Sequence, residues 1–496
     1  MTVGRCPVAL LLALAAGCIR KGADDSGAPD DSLDTSETGT DTDTGSPDDT
    51  VYTFVGGPSD AAGNAVTLPG DVDGDGVPDV VVAAYYGNHV CAWSGAGLSA
   101  ASPARTIADA DVCWAGLGDY DFSGYGLAAG GDGDGDGRQD VLVGAIGDGT
   151  NGSNAGRVWI LPGAVWGPEV QFADVASGSL IGEMGSDYAG VALTGGRDLT
   201  GDGVPDYLVG ASGSDAGGAG GGKVYLVPGP VTGEVQLSTV ATTFLGLPVT
   251  TTTTLMHGEF GGGDAVGNAV ALPGDMNGDG IDDIALGASG ADENGSSTGK
   301  VVVYYGPVPE GTHAITDADL SLVGPAAYSY AGSPIHAPGD VDADGYTDLM
   351  ISADGVDNGT LYLHHGALTG APNDVRSLQD EPDRWRGEHP DDLAAFGVAT
   401  GDVDGDGVVD LAVGAPASDR GAQDAGAVYV DLGPWAGGST LLASVDAILH
   451  GEQVADAFGR AIASGSDVDG DGTDDLLIGA IYNDDGGAFS GKAYLY

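Results

Sequence analysis

The chain has 496 residues, with 74 acidic side chains against 15 basic ones and a formal net charge of −59. So acidic a balance disfavours binding to the phosphates of nucleic acids. No segment carries a sustained helical period, and the 91 glycines fall mostly in turns and at strand junctions, so an all-β chain is expected.

The first predicted element is an apolar run, PVALLLALAAG at residues 7–17, preceded by Arg5. It has the length of a signal peptide and is short for a bilayer span. The stretch Leu14-Ala15-Ala16-Gly17-Cys18 resembles a bacterial lipobox. That resemblance implies a lipoprotein signal peptide over residues 1–17 and a diacylated Cys18. The protein is then expected to be exported and lipid-anchored to the bacterial cell envelope, at the outer membrane; the alternative is an ordinary cleaved signal peptide. Residues 18–50 follow as an acidic linker of Asp, Ser, Thr and Gly, with too little apolar content to fold and enough charge to stay extended. No other segment is expected to meet the membrane.

Residues 51–496 are expected to form one repeat domain, because a nine-residue acidic loop recurs seven times. Four positions of each copy, the first, third, fifth and ninth, carry the candidate ligands. They are Asp71, Asp73, Asp75 and Asp79; Asp132, Asp134, Asp136 and Asp140; Asp198, Thr200, Asp202 and Asp206; and Asp275, Asn277, Asp279 and Asp283. Asp340, Asp342, Asp344 and Asp348 follow, then Asp402, Asp404, Asp406 and Asp410, and finally Asp467, Asp469, Asp471 and Asp475. Carboxylates at alternate residues converge on one point only if the backbone curls tightly, which the glycine at the sixth position (Gly407 in the sixth copy) permits. An all-oxygen cage of this kind suits Ca²⁺, and the spacing matches the first half of an EF-hand loop. Up to seven Ca²⁺ are expected. Asp and Gly are also ordinary turn formers, but turn propensity alone would not place Asp at 26 of 28 such positions. The third loop is the weakest, because Thr200 brings no charge.

The flanks repeat as well. In the sixth copy Phe396-Gly397-Val398-Ala399 precedes the loop, and DLAVGAP, ending Gly414-Ala415-Pro416, follows it. A Gly/Asp-rich turn and the strand AGAVYVDLG come next, then AILHGE at 447–452 leads into Phe458-Gly459. Segments such as Leu411-Ala412-Val413 are continuously apolar, as strands covered on both faces are. Loop starts 61, 66, 77, 65, 62 and 65 residues apart, with about four strands per repeat, point to propeller blades.

The FG…loop…GAP pattern resembles the FG-GAP repeat of integrin α-subunit β-propellers, over about residues 51–496. The resemblance implies a seven-bladed β-propeller of four-stranded antiparallel blades, with Ca²⁺ in the hairpin between the first and second strands of each blade. All seven repeats carry the loop, whereas integrin propellers usually carry it in only some. No counterpart of the leg, membrane-spanning and cytoplasmic segments of integrins is expected, and so no integrin-like signalling role is expected either. The sequence closes on GKAYLY, a third strand, and residues 51–56, VYTFVG, match AILHG in repeat position. They are expected to complete the last blade and leave no inner edge unpaired. Cys91 and Cys113 fall on the expected third and fourth strands of the first blade, within reach of a disulfide; Cys6 lies in the cleaved region.

Catalytic chemistry is not evident, and no enzyme is expected. The eight His have no metal-type spacing. His257-Gly258-Glu259, Arg386-Gly387-Glu388 and His450-Gly451-Glu452 share one repeat position, which reads as structural. The G-x-S-x-G string around Ser297 falls in a loop between strands, not at a strand–helix elbow. Residues 250–254 and the aromatics Trp166, Trp385 and Trp435 are the sequence's candidates for recognition. The expected role is a surface-tethered, calcium-binding adhesion or protein-binding module, acting as a monomer on a surface protein or glycan. A lectin is the alternative, and a polysaccharide-active enzyme a more distant one.

Overall fold

The computed structural model describes residues 50–118, 120–163, 170–247, 263–367, 373–435 and 437–496. The expected signal peptide, Cys18, nearly all of the acidic linker, Trp166, residues 250–254 and His257-Gly258-Glu259 lie outside them. Among the described residues no helix is long and apolar enough to cross a membrane.

Seven sheets follow one another along the chain. The first blade is typical: Ala62–Gly70, Asp79–Ala84, His89–Trp93 and Val112–Ala115 pair antiparallel in that order. The first strands of successive blades touch one another round a complete circle, the seventh returning to the first. The fold is therefore a closed seven-bladed propeller.

Period-two alternation explains why the strands look uniformly apolar. In the third blade Leu208 belongs to the cluster shared with the fourth blade, while Tyr207 and Val209 belong to the one shared with the second. Seven such clusters fill the seven gaps between blades. Each second strand from Asp79–Ala84 to Asp410–Ala415 is buried along its whole length.

The repeated glycines have a steric cause. A Cβ on Gly414 would lie 1.9 Å from the carbonyl oxygen of Gly459, which opens the next blade at φ +88°. Where glycine stands at both positions, the pair thus lets neighbouring blades approach at backbone contact; the first blade has Ala83 at the second of them. In the fifth blade Ser352 takes that place, and its hydroxyl donates to the Ala395 carbonyl of the next blade at 2.7 Å.

Ring closure comes from the chain's first described strand. Tyr52–Val55 lies antiparallel to Lys492–Leu495, with Phe54 opposite Ala493. Phe54 and Tyr52 sink into the cluster between the seventh and first blades. Cys91 and Cys113 face each other on adjacent strands of the first blade and form a disulfide, with Cα atoms 4.1 Å apart.

The blades also carry an addition to their four antiparallel strands. The connection from third to fourth strand sends a short segment sideways, where it pairs parallel to the outer strand of the preceding blade. Ala104–Thr106 of the first blade pairs with Tyr52–Val55 of the seventh, and Ser439–Leu441 of the sixth with Asp383–Arg386 of the fifth. Six sheets become five-stranded in this way; the sixth blade has four strands among the described residues. Outer edges that would otherwise stand unpaired are covered.

Candidate metal centres

Each acidic loop is the hairpin between the first and second strands, and all seven open at the same end of the propeller. The loop is wound around its own carboxylates. In the first blade Asp71 Oδ1 accepts the amides of Gly74 (2.6 Å) and Asp75 (3.1 Å), and Oδ2 that of Gly76 (2.9 Å). Asp73 Oδ1 accepts from Asp75 (3.0 Å) and Asp75 Oδ1 from Val77 (2.9 Å). These bonds turn the backbone outward and the side chains inward, as the alternate spacing requires.

The ninth residue is the first of the second strand in the first six blades, stands two residues before it in the seventh, and is buried in all seven. Asp79 Oδ2 accepts from Val72 (2.8 Å), and Oδ1 from Gly95 (3.2 Å), just past the third strand. The same pair holds Asp140 (Gly133 and Gly163), Asp283 (Met276 and Gly306) and Asp410 (Val403 and Gly433). In six blades the glycine ending the third-strand motif therefore belongs to the loop. A Cβ on Gly95 would stand 2.1 Å from the Pro78 carbonyl. Neighbouring loops are also joined: the Gln139 amide donates to the Asp71 carbonyl, and that of Asp474 to Asp402, both at 2.9 Å.

In four loops three of the four expected ligands come together. Asp71, Asp73 and Asp79 form one cluster; Asp132, Asp134 and Asp136 another; Asp340, Asp342 and Asp344 a third; Asp402, Asp404 and Asp410 a fourth. In the third loop Asp198 and Asp206 hold the same backbone amides, but Thr200 turns its hydroxyl to Asp206. In the fourth, Asn277 Oδ1 accepts the Asp279 amide, and its Nδ2 faces Asp279 Oδ2 at 3.2 Å. The seventh loop winds as the first does, around Asp467, Asp469, Asp471 and Asp475.

The electrostatics fit a cation. Burial, with like charge from neighbouring ligands, pushes the carboxyls of Asp79, Asp283 and Asp475 up to about 7 and that of Asp140 up to about 6. Backbone amides oppose the shift without cancelling it. Oδ1 of Asp402 is buried with no hydrogen-bond partner. Oxygen donors crowded to this degree are what a hard divalent ion neutralises.

A pH dependence follows for the metal-free protein. These folded-state pKa values lie above the ordinary carboxylate value of 3.8, so the folded chain holds more protons than the unfolded one between about pH 4 and 7. The associated stability is complete below pH 4 and is lost as pH rises through 7. In EDTA the melting temperature should therefore fall from pH 5 to pH 8, and calcium should flatten that slope. A metal-free melting temperature that rises over this range contradicts the assignment.

Other candidates resolve into structure. Glu452 pairs with Lys492 of the next blade (3.1 Å), and Glu388 with Arg420 (2.7 Å). Glu183 occupies the same position and meets Lys223, whose ammonium sits 4.6 Å over the Tyr225 ring. The third-strand Lys of the third and seventh blades is thus an inter-blade counter-ion, whereas Lys300 of the fourth pairs with Glu293 of its own blade. Ser297 is buried in a hairpin, with its amide on Asp292 (2.8 Å). Trp385 and Trp435 pack edge to face, and both indoles donate to Asp431.

One set of exposed residues has no counterpart in the sequence reading. The end of the propeller opposite the acidic loops, built from the second-to-third hairpins and the links between blades, exposes Tyr86, Leu117, Tyr120, Met184, Tyr328, Val454, Tyr482 and Phe489. At the loop end Ile281 is the comparable residue within an acidic loop. Tyr85 and Tyr86 stack at 4.2 Å, and Phe122 lies about 6 Å from both and from Tyr120. The adjacent Tyr85-Tyr86 in a hairpin was the available signal.

Comparison with known proteins agrees with this architecture. The FG-GAP repeat model matches residues 62–100, 266–304, 394–431 and 458–496, the first three strands of the first, fourth, sixth and seventh blades. Integrin alpha-PS2 of Drosophila melanogaster is 39% identical over 234 residues, 43% of this chain and 15% of that protein. Integrin alpha pat-2 of Caenorhabditis elegans is 28% identical over 280 residues, 52% of this chain and 20% of that protein. Human integrin alpha-IIb is 36% identical over 148 residues, 28% of this chain and 14% of that protein. The chain spans a fifth or less of the length of these relatives. It carries FG-GAP repeats in an integrin α-like β-propeller.

Proposed function

We propose that the propeller is a calcium-loaded, non-enzymatic adhesion module that binds a protein partner through the face opposite its acidic loops. The observation that carries this reading is the aromatic cluster of Tyr85, Tyr86, Tyr120 and Phe122, with Tyr86 55% and Tyr120 76% exposed. Tyrosine supplies contact area at little conformational cost and is enriched where proteins bind. Calcium acts at a distance from this face: by neutralising the loops it keeps the ring closed and the connecting segments fixed. Ca²⁺ in up to seven loops would be held by the four ligand positions of each. Residues 1–17 and Cys18 would deliver the module to a bacterial envelope, with the acidic linker as its tether.

The test is binding of the purified propeller to intact cell surfaces and to a glycan array, both in calcium. Tyr86→Ser with Tyr120→Ser should lower cell-surface binding at least about tenfold, the loss of a modest hot spot, while the calcium-bound melting temperature stays put. Undiminished binding would remove this face from the account. Glycan binding lost in the double variant would make the module a lectin. Mass spectrometry that finds no diacylglyceryl group on Cys18 would remove the anchor.

A further inference from the structure

The fifth loop differs from the other six at several points that bear on one ion. The residue between the third strand and the glycine that holds the ninth carboxylate is Ser94, Pro162, Pro228, Tyr305 and Leu432 in five other blades. In the fifth blade it is His365, and its ring points into the loop. Nδ1 lies 3.1 Å from Asp342 Oδ2 and 3.5 Å from Asp348 Oδ1. These three residues form a cluster able to grip one ion, and Nδ1 is buried without a hydrogen-bond partner. Metal–ligand bonds of about 2.0–2.2 Å at tetrahedral to octahedral angles separate donor atoms by roughly 2.8–3.6 Å, which spans both distances.

The other ring nitrogen is held from behind. Asp383 Oδ2 lies 2.9 Å from Nε2, and Asp383 Oδ1 accepts the Gly438 amide. In the first, fourth and sixth blades the carboxylate just before the fourth strand (Asp111, Asp319, Asp446) accepts a backbone amide instead. Pro382 takes that place in the fifth blade, and the carboxylate comes one residue later, from Asp383. A carboxylate behind a histidine fixes the ring and directs the other nitrogen's lone pair at a metal. The loop backbone departs too: Ala343, at φ 58°, stands where the other loops have glycine.

We propose that the fifth loop is a transition-metal site, taking a zinc-type divalent ion through Asp342, Asp348 and His365 Nδ1. Imidazole nitrogen suits such ions, whereas Ca²⁺ takes oxygen donors. The inference rests on the reading that these loops hold cations, and assigns one of them a different ion.

The experiment is metal analysis of the full-length protein after incubation with Zn²⁺ and dialysis against millimolar Ca²⁺. Wild type should retain about one zinc per chain, and His365→Phe should lose it while its calcium content and calcium-bound melting temperature stay unchanged. With Co²⁺ as probe, wild type should show a visible ligand-field band that the variant lacks. Asp383→Asn should weaken zinc binding roughly 10–100-fold, as loss of an orienting partner does. Zinc absent from wild type, or retained equally by His365→Phe, overturns the proposal. Calcium absent from the other loops would instead sink the calcium reading, independently of the zinc result.

Discussion

Adding EDTA to the purified propeller in calcium buffer should lower its melting temperature by roughly 3–10 °C at neutral pH. Extracellular calcium loops typically bind at about 10⁻⁴–10⁻³ M, so millimolar calcium adds roughly 0.4–1.4 kcal/mol per site. Seven loops then sum to about 3–10 kcal/mol, and a domain of this length loses about 1 °C per kcal/mol. The effect should be cooperative within three pairs of loops, which are tied by the Gln139 amide on Asp71, that of Thr347 on Asp275 and that of Asp474 on Asp402. Asp410→Asn should remove one calcium and a fraction of the shift. It keeps the side chain's size and one acceptor oxygen, so the Val403 or Gly433 amide retains a partner. A differential scanning calorimetry trace indifferent to EDTA would mean that the aspartates are turn formers and nothing more.

Removal of residues 51–56 should have a larger effect. That segment supplies the strand Tyr52–Val55, which pairs with Lys492–Leu495 on one side and Ala104–Thr106 on the other. Without it the seventh blade loses its outer strand and the first blade's lateral segment loses its partner. The closed ring becomes an open stack with hydrogen-bonding groups exposed on Lys492–Leu495, a template for aggregation. Phe54→Ala is the milder form. Its ring is 1% exposed and lies 4.7 Å from that of Trp93, so truncation should cost about 3–5 kcal/mol. Urea unfolding of Phe54→Ala with a wild-type midpoint, or a soluble cooperative fold in the deletion, would contradict closure through this strand.

The acidic loops and strand order were legible because their signals are local. Nine residues contain a whole loop, and the alternation of ligands is written in consecutive positions from Asp402 to Asp410. Closure was legible because residues 51–56 repeat the pattern of AILHG. What escaped depends on distant partners. Ser439–Leu441 is three residues long and pairs with Asp383–Arg386, over fifty positions earlier, so neither periodicity nor turn chemistry marks it as a strand. The same holds for the glycines after the third strands. Gly433 reads as a turn residue until its amide is found on Asp410, 23 positions away in the chain. The sharing of Glu452 and Lys492 between blades was hidden for that reason, and His365 was one unpatterned histidine among eight. Trp385 and Trp435, picked out as large and aromatic, turned out to pack on each other, whereas the tyrosines of the opposite face are exposed.

The most direct test of the central claim, that divalent cations hold the acidic loops, is equilibrium dialysis of metal-stripped protein against radioactive calcium. Saturation should approach one ion per loop for the first, second and sixth loops, whose carboxylates already converge, with weaker uptake at the third and fourth. Less than one calcium per chain at millimolar concentration would contradict it.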